Sequence, residues 1–315
     1  MMRDNWLQEA IARQRAGLSA RLASPLARVA WDCAQAWHDP DALDGALVEG
    51  LSAVSPCNLL YAVDTDGRQL SANVSPDHVD TRLRGQQLAD RPYLASTLPC
   101  SSFLLSDVYV SRVTGRPCLT AVQMVTRMEK MLGFIAVDFA LRDLPQIGAP
   151  SREATRWRQI KGDPAIRESV FSQSRTTSQM DQCMPDVIAI MDELIGERGV
   201  FHVKLHFSSS RATLWLTDDP YRYRVHVLEE ITHPAMCLAY PRQPYSDMAT
   251  VARDRIKPVF ERFALLRTAD DTLYLRTGSL NIVSGMVGLT FSCDGSHYVP
   301  AAEFLAKDER FWFGQ

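Results

Sequence analysis

Residues 87–125, QLADRPYLASTLPCSSFLLSDVYVSRVTGRPCLTAVQMV, a charged RMEK linker at 127–130 and GFIAVDFAL at 133–141 decide the fold of the first half of this 315-residue chain. They read as a polar segment, two strands joined by a tight turn, and a third strand. From Leu105 to Arg112 a period of two puts Asp107, Tyr109 and Ser111 on one face and Val108 and Val110 on the other. Thr114-Gly115-Arg116 supplies the turn. Pro117 to Thr126 returns with Cys118, Thr120, Val122 and Met124 alternating against Leu119, Ala121, Gln123 and Val125. In the third strand Ile135, Val137, Phe139 and Leu141 share one side, and Phe134, Ala136, Asp138 and Ala140 the other. Asp138 is thus a lone carboxylate among small and apolar neighbours. Such a group needs a partner, or its pKa rises until it neutralises. The nearest candidates are Arg91, Tyr93, Tyr109 and Thr120.

Upstream, Leu59 to Asp64 and Arg68 to Asn73 flank Thr65-Asp66-Gly67, a hairpin signal. Asn5 to Leu22 reads as an amphipathic helix with Trp6, Ile11, Leu18 and Leu22 near one face. Ser24-Pro25 gives an N-cap and first-turn proline for a second helix, Leu26 to Trp37, and Asp39-Pro-Asp41 opens a third. Helix, hairpin, polar clamp helix and three strands is the order of a PAS-like antiparallel sheet. The expected organisation is a helical segment (1–38), an α+β domain (39–149), a connector (150–177) and a second α+β domain (178–315). The N-terminal helices, with Trp6, Trp37 and a leucine series, either cover the sheet or form a homodimer seam through residues 5–37.

Three motifs of this region carry a resemblance: Arg91-Pro-Tyr93, Tyr109-Val-Ser111-Arg112-Val-Thr-Gly115-Arg116-Pro, and Gly133-Phe-Ile-Ala-Val-Asp138. Together they resemble the ligand-binding half of a Cache domain, the PAS-like sensor module also called PDC, over residues 40–145. In amino-acid-sensing members an Arg-x-Trp-Tyr clamp holds the ligand carboxylate, and a Tyr-x-Asp with a later Asp holds its ammonium. The resemblance implies that Arg91 and Tyr93 face a carboxylate and that Tyr109 and Asp138 face the other end of the ligand. Leu94 stands at the second clamp aromatic and Ser111 at the first ammonium-binding Asp. The implied ligand is therefore a small carboxylate or an amino-acid-like molecule. Asp107 and Ser111, on the same strand face as Tyr109, and Thr120, a candidate partner of Asp138, complete the candidate site.

Composition sets outer limits. A hydrophobic fraction of 46% and a charged fraction of 23% are those of an ordinary globular protein. A net charge of −3 gives no bulk attraction to nucleic acid or an anionic membrane, so neither is expected as a partner. Seven cysteines are scattered singly with no CxxC or CxxCH, favouring reduced thiols in a cytoplasmic protein and arguing against covalent c-type haem. The first residues lack the apolar core of a secretory signal, and no run approaches the ~20 apolar residues of a membrane span. No cofactor is implied.

In the second half, Pro185 to Ile195 reads as a helix. Strands follow at 200–207, 212–217, 223–229 and 235–240, then a helix over 248–266 and strands at 272–276, 280–283 and 287–292. The order repeats that of the first domain, so a second PAS-like unit is the working expectation. No GxSxG, phosphate-loop, GxGxxG or HExxH motif is present. His202 and His206 lie in one strand, where four residues span ~13 Å, too far to share an ion. Asp218-Asp219-Pro220 and Asp270-Asp271 read as turns, as does the segment holding Cys293 and His297. The expectation is a non-catalytic small-molecule sensor that signals through an unidentified downstream protein. Two alternatives remain open: an enzyme with its site in the second half, regulated by the Cache-like half, and an interaction scaffold that binds no ligand.

Overall fold

The computed structural model describes residues 6–88, 91, 102–112, 114–148, 174–293, 295–307 and 311–312. The chain divides into two compact units, Met1–Ala149 and Pro150–Gln315. In the first, α1 (Trp6–Ala36) is one helix with Pro25 inside it, not the two that Ser24-Pro25 predicts. An interior proline costs about 3 kcal/mol through its missing N–H and its ring. Leu18, Leu22, Leu26 and Val29, all buried on either side of it, offset this at roughly 1.5–3 kcal/mol for each large side chain. Helix α2 (Pro40–Gly50) opens as expected at Asp39, whose carboxylate accepts from the backbone N–H groups of Asp41 and Ala42.

The first sheet contains β1 (Leu59–Asp64), β2 (Asn73–Val74), β3 (Val79–Asp80), β4 (Phe103–Leu105), β5 (Tyr109–Val110), β6 (Pro117–Arg127) and β7 (Lys130–Ala140). Their order is β3-β2-β1-β7-β6-β4, with β5 also on β6. The first and last strands are antiparallel neighbours in the middle, as a PAS-like sheet requires. The Thr65-Asp66-Gly67 turn closes through Asp64 N–H to the Arg68 carbonyl at 2.9 Å, with Gly67 at φ +82°, a conformation glycine adopts without steric cost.

The strand expected from Leu105 to Arg112 is interrupted at 106–108. There the Ser106 N–H donates to the Thr120 carbonyl at 2.8 Å, and the Ser106 hydroxyl accepts from the Thr120 N–H at 2.9 Å. The break ends the strict alternation. Tyr61, Val63, Leu88, Val122, Phe134 and Ala136 form a core cluster on one face, with Leu59, Tyr109, Met124 and Met131 packed against it. Helix α1 contributes nothing to that cluster and packs across β6, so it covers the opposite face. Trp37 and the helix's leucines are buried within their own unit, whereas Trp31 is 66% exposed.

The second unit carries α3 (Met184–Glu197), β8 (Val200–His206), β9 (Arg211–Leu216), β10 (Asp219–Val227), α4 (Ile256–Thr268), β11 (Leu275–Asn281), β12 (Met286–Phe291), β13 (Ser296–Pro300) and α5 (Ala301–Ala306). The sheet runs β10-β9-β8-β11-β12-β13. A helix followed by a three-strand meander occurs twice, and the two meanders meet at β8 and β11. Strand order therefore differs from that of the first sheet, where first and last strands are neighbours. The strand expected over 235–240 is a 3-10 turn, Pro234–Ala239, opened by a proline that cannot donate to a ladder. Helix α4 starts later than periodicity suggests, and Pro258 lies in its first turn, where a missing N–H is harmless. The two short strands expected around Gly278 are one, β11.

Candidate functional site

The site lies on the first sheet, on the face opposite α1. Thr120 and Asp138 are direct partners across β6 and β7, and Tyr109 on β5 is opposite Cys118. These registers bring three side chains into a chain of hydrogen bonds. The Tyr109 hydroxyl lies 2.8 Å from Thr120 Oγ1, and Thr120 Oγ1 donates to Asp138 Oδ1 at 2.7 Å. Thr120 is fully buried and Asp138 half-buried. Among the described residues, Thr120 provides the one side-chain hydrogen bond to Asp138.

Burial pushes the Asp138 carboxyl up to about 6, against the lowering effects of the Thr120 hydrogen bond and of the Arg91 charge. The same surroundings raise the Tyr109 phenol, first by burial and then by the Asp138 charge. Two thiols flank the carboxylate. Cys118 is raised to about 12 by burial, with a hydrogen bond to Tyr109 opposing the shift and the Asp138 charge adding to it. Cys57 is raised to about 11 by burial and by Asp138. Sequence reasoning missed both thiols. The signal for Cys118 was present, since it lies two residues before Thr120 on the same face; Cys57, in the loop before β1, offered none.

Of the seven candidate residues, the structure joins Tyr109, Thr120 and Asp138. Arg91 is half-buried, donates its N–H to the Leu88 carbonyl at 2.9 Å, and acts on Asp138 through its charge. Tyr93 lies outside the described residues, as does most of the expected clamp helix. Asp107 departs from the reading: its side chain is 88% exposed and sits 3.4 Å from Arg15 of α1, because the break at 106–108 removes it from the alternation. Ser111 is drawn into the turn, its hydroxyl accepting from the Thr114 N–H at 3.3 Å and its carbonyl from the Gly115 N–H at 2.8 Å.

In the second unit the paired acids hold loops. Asp270 accepts from the Thr272 and Leu273 N–H groups at 2.6 and 2.7 Å, and Asp218 accepts from Gln243 at 2.5 Å. His202 stacks on Trp215 and His206 bonds Thr213. Among the described residues, no three His, Cys, Asp or Glu side chains gather in a way that could hold a metal, and no helix is long and apolar enough to cross a membrane.

No protein-family model matches the chain, and no curated protein matches it. Solved structures to which it is similar include sensory and ligand-binding domains of chemoreceptors. One is the Campylobacter jejuni chemoreceptor Tlp3 sensory domain with isoleucine bound, at 12% identity and a TM-score of 0.35 over 44% of this chain and 57% of that one. Another is the Pseudomonas fluorescens chemoreceptor CtaA domain in complex with L-valine, at 19% identity and a TM-score of 0.32 over 44% and 62%. The chain thus spans less than two thirds of the length of either domain.

Proposed function

We propose that the first unit binds a small amino-acid-like molecule or organic acid beside Asp138, and that the protein is a sensor or ligand-binding regulator. The observation that carries this reading is the direction of the hydrogen-bonded chain. Thr120 has one hydroxyl proton and gives it to Asp138, so the Tyr109 hydroxyl donates to Thr120. Both protons point toward one carboxylate, the negative end of the chain, held against an apolar cluster at a cost that raises its pKa. An N–H-rich cationic group docked against Asp138 relieves that cost. Arg91 supplies the opposite charge for a ligand carboxylate. A few polar groups converging on an apolar surface is the general construction of a small-molecule site. The described cysteines, Cys33, Cys57, Cys118, Cys183, Cys237 and Cys293, are free, which supports a reducing, cytoplasmic setting.

Calorimetric titration of the full chain with a panel of amino acids, amines and organic acids tests the proposal. Saturable binding of at least one compound, lost in Arg91→Ala or Asp138→Asn, is the expected result. A panel without a binder, or binding indifferent to both substitutions, rejects it.

A further inference from the structure

The second sheet has one face built for burial and a second whose side chains are half-buried in the central strands, Thr213 fully so, and exposed on the edge strands at Tyr223, Ser296 and Tyr298. Val203, Leu205, Leu214, Leu280, Val287 and Leu289 are buried on the first. The ring of Phe263 on α4 occupies the space next to Gly278, 2.9 Å from where a Cβ would stand. On the other face, register aligns Tyr223, Trp215, His202, Asn281 and Met286 in one row. The next row is Val225, Thr213, Lys204, Ser279, Gly288 and Tyr298, and a third runs through Val227, Arg211, His206, Thr277, Thr290 and Ser296. His202 stacks on Trp215 at 4.3 Å, and Trp215 tilts against Tyr223 at 5.8 Å. Tyr223 and Tyr298 are 42% and 75% exposed.

These rows contain no Asp or Glu, although the chain has 37 acidic residues and a net charge of −3. Burial, with Lys204 adding to it, lowers His202 to about 4, so at neutral pH its ring is an uncharged aromatic surface. Within these rows the fixed positive charges are Lys204 and Arg211. An aromatic row beside two cations, with no acid among them, matches an acidic partner carrying apolar side chains.

Three occupants compete. A second copy packed face to face would set like charges together. Six strands at ~4.8 Å spacing and about 20 Å length offer on the order of 500–600 Å², below the ~800 Å² per partner of a standard stable interface. Nucleic acid draws its affinity from phosphate neutralisation, and two fixed cations on an acidic chain supply little of it. We propose that this face docks an acidic polypeptide segment, its apolar side chains on Trp215, His202 and Tyr223 and its carboxylates at Lys204 and Arg211.

The test uses the full chain and a fluorescein-labelled twelve-residue peptide alternating Glu with Leu and Trp. A matched peptide with Lys for Glu and a labelled oligo-dT are run in parallel, by anisotropy at low and physiological salt. Saturable binding of the Glu peptide alone is expected, weakened about tenfold by Lys204→Glu and also by Trp215→Ala. Lys204→Glu should in turn gain affinity for the Lys peptide, a readout that a merely unfolded variant does not give. Failure of the Glu peptide to bind, binding that ignores Lys204→Glu, or tighter binding of oligo-dT overturns the proposal. So does sedimentation showing a dimer that Lys204→Glu dissociates, which assigns the face to a second copy.

Discussion

Thr120 Oγ1 donates to Asp138 Oδ1 at 2.7 Å across directly paired strand positions, so the group that lowers the carboxyl's pKa is set by the sheet ladder itself. Thr120→Val keeps shape and β-branching and removes the donor. The Asp138 carboxyl, already at about 6, should titrate higher still, and Tyr109 should lose its acceptor. The bond is present before any ligand arrives, so its loss reaches a cationic ligand through protonation of Asp138, and each unit by which the carboxyl rises above the working pH should weaken binding about tenfold. NMR titration of the side-chain carboxyl checks the first effect and calorimetry the second; an unmoved titration would show that the bond does not form in solution.

The raised pKa of Asp138 fixes a pH dependence of stability. The folded carboxyl titrates at about 6, above the ordinary aspartate value of 3.8, so between those values the folded state holds more protons than the unfolded state. Stability therefore falls as pH rises through this window, by about 1.4 kcal/mol per unit of difference for one group. Asp138→Asn should flatten this part of the profile and be the more stable protein at pH 7 without ligand, while losing affinity for amine-bearing ligands. Urea unfolding at pH 4, 5, 6 and 7 reads this directly. Parallel profiles for the two proteins would place the Asp138 pKa at its ordinary value.

Arg91 is half-buried and acts on Asp138 through charge. Its removal should cost under about 1 kcal/mol of stability but abolish binding of ligands that carry a carboxylate. Simple amines should be affected far less. Equal losses for both ligand classes would mean that Arg91 serves Asp138 and not the ligand.

Gly278 on β11 faces Phe263, and a Cβ there would lie 2.9 Å from two ring atoms. A ring in a packed core cannot yield cheaply, so Gly278→Ala should destabilise the second unit by about 1–3 kcal/mol. Thermal unfolding should show it, with ligand binding at the first unit unchanged at temperatures where both units are folded.

The glycine also shows where sequence reading failed. Gly278 lies in the gap left between the strands expected at 272–276 and 280–283; the glycine serves one continuous strand by making room for a ring from a helix ten or more residues away in sequence, which periodicity does not report. Pro25 misled in the same way, since the helix continues through it on the strength of long-range burial. Where the pattern is local, the reading holds: the Asp39 cap, the 65–67 turn, and the alternation of β6 and β7 that places Thr120 opposite Asp138. Asp107 was lost because a three-residue break carries no local signature, the Ser106 bonds that stabilise it being made to a strand 14 residues on.

The N-terminal helix bears on assembly. Sequence alone suggests that its apolar residues exceed what one sheet can cover, and hence a homodimer through residues 5–37. In the structure Leu7, Ile11, Leu18 and Leu22 are buried inside their own unit, as is Trp37, and Trp31 is the tryptophan left outward, at 66% exposure. Deleting residues 1–23 removes four large buried side chains, roughly 6–12 kcal/mol of burial, against a typical domain stability of about 5–15 kcal/mol. The deletion should therefore unfold the first unit and not merely separate two protomers. A homodimer seam on α1 has to run over the outer side around Trp31, so Trp31→Glu should weaken self-association while leaving the melting temperature within a few degrees. Sedimentation of the full chain at tens of micromolar decides the matter. A monomer with and without ligand removes the dimer, and a truncated protein that stays folded but no longer associates would restore the seam to residues 5–23.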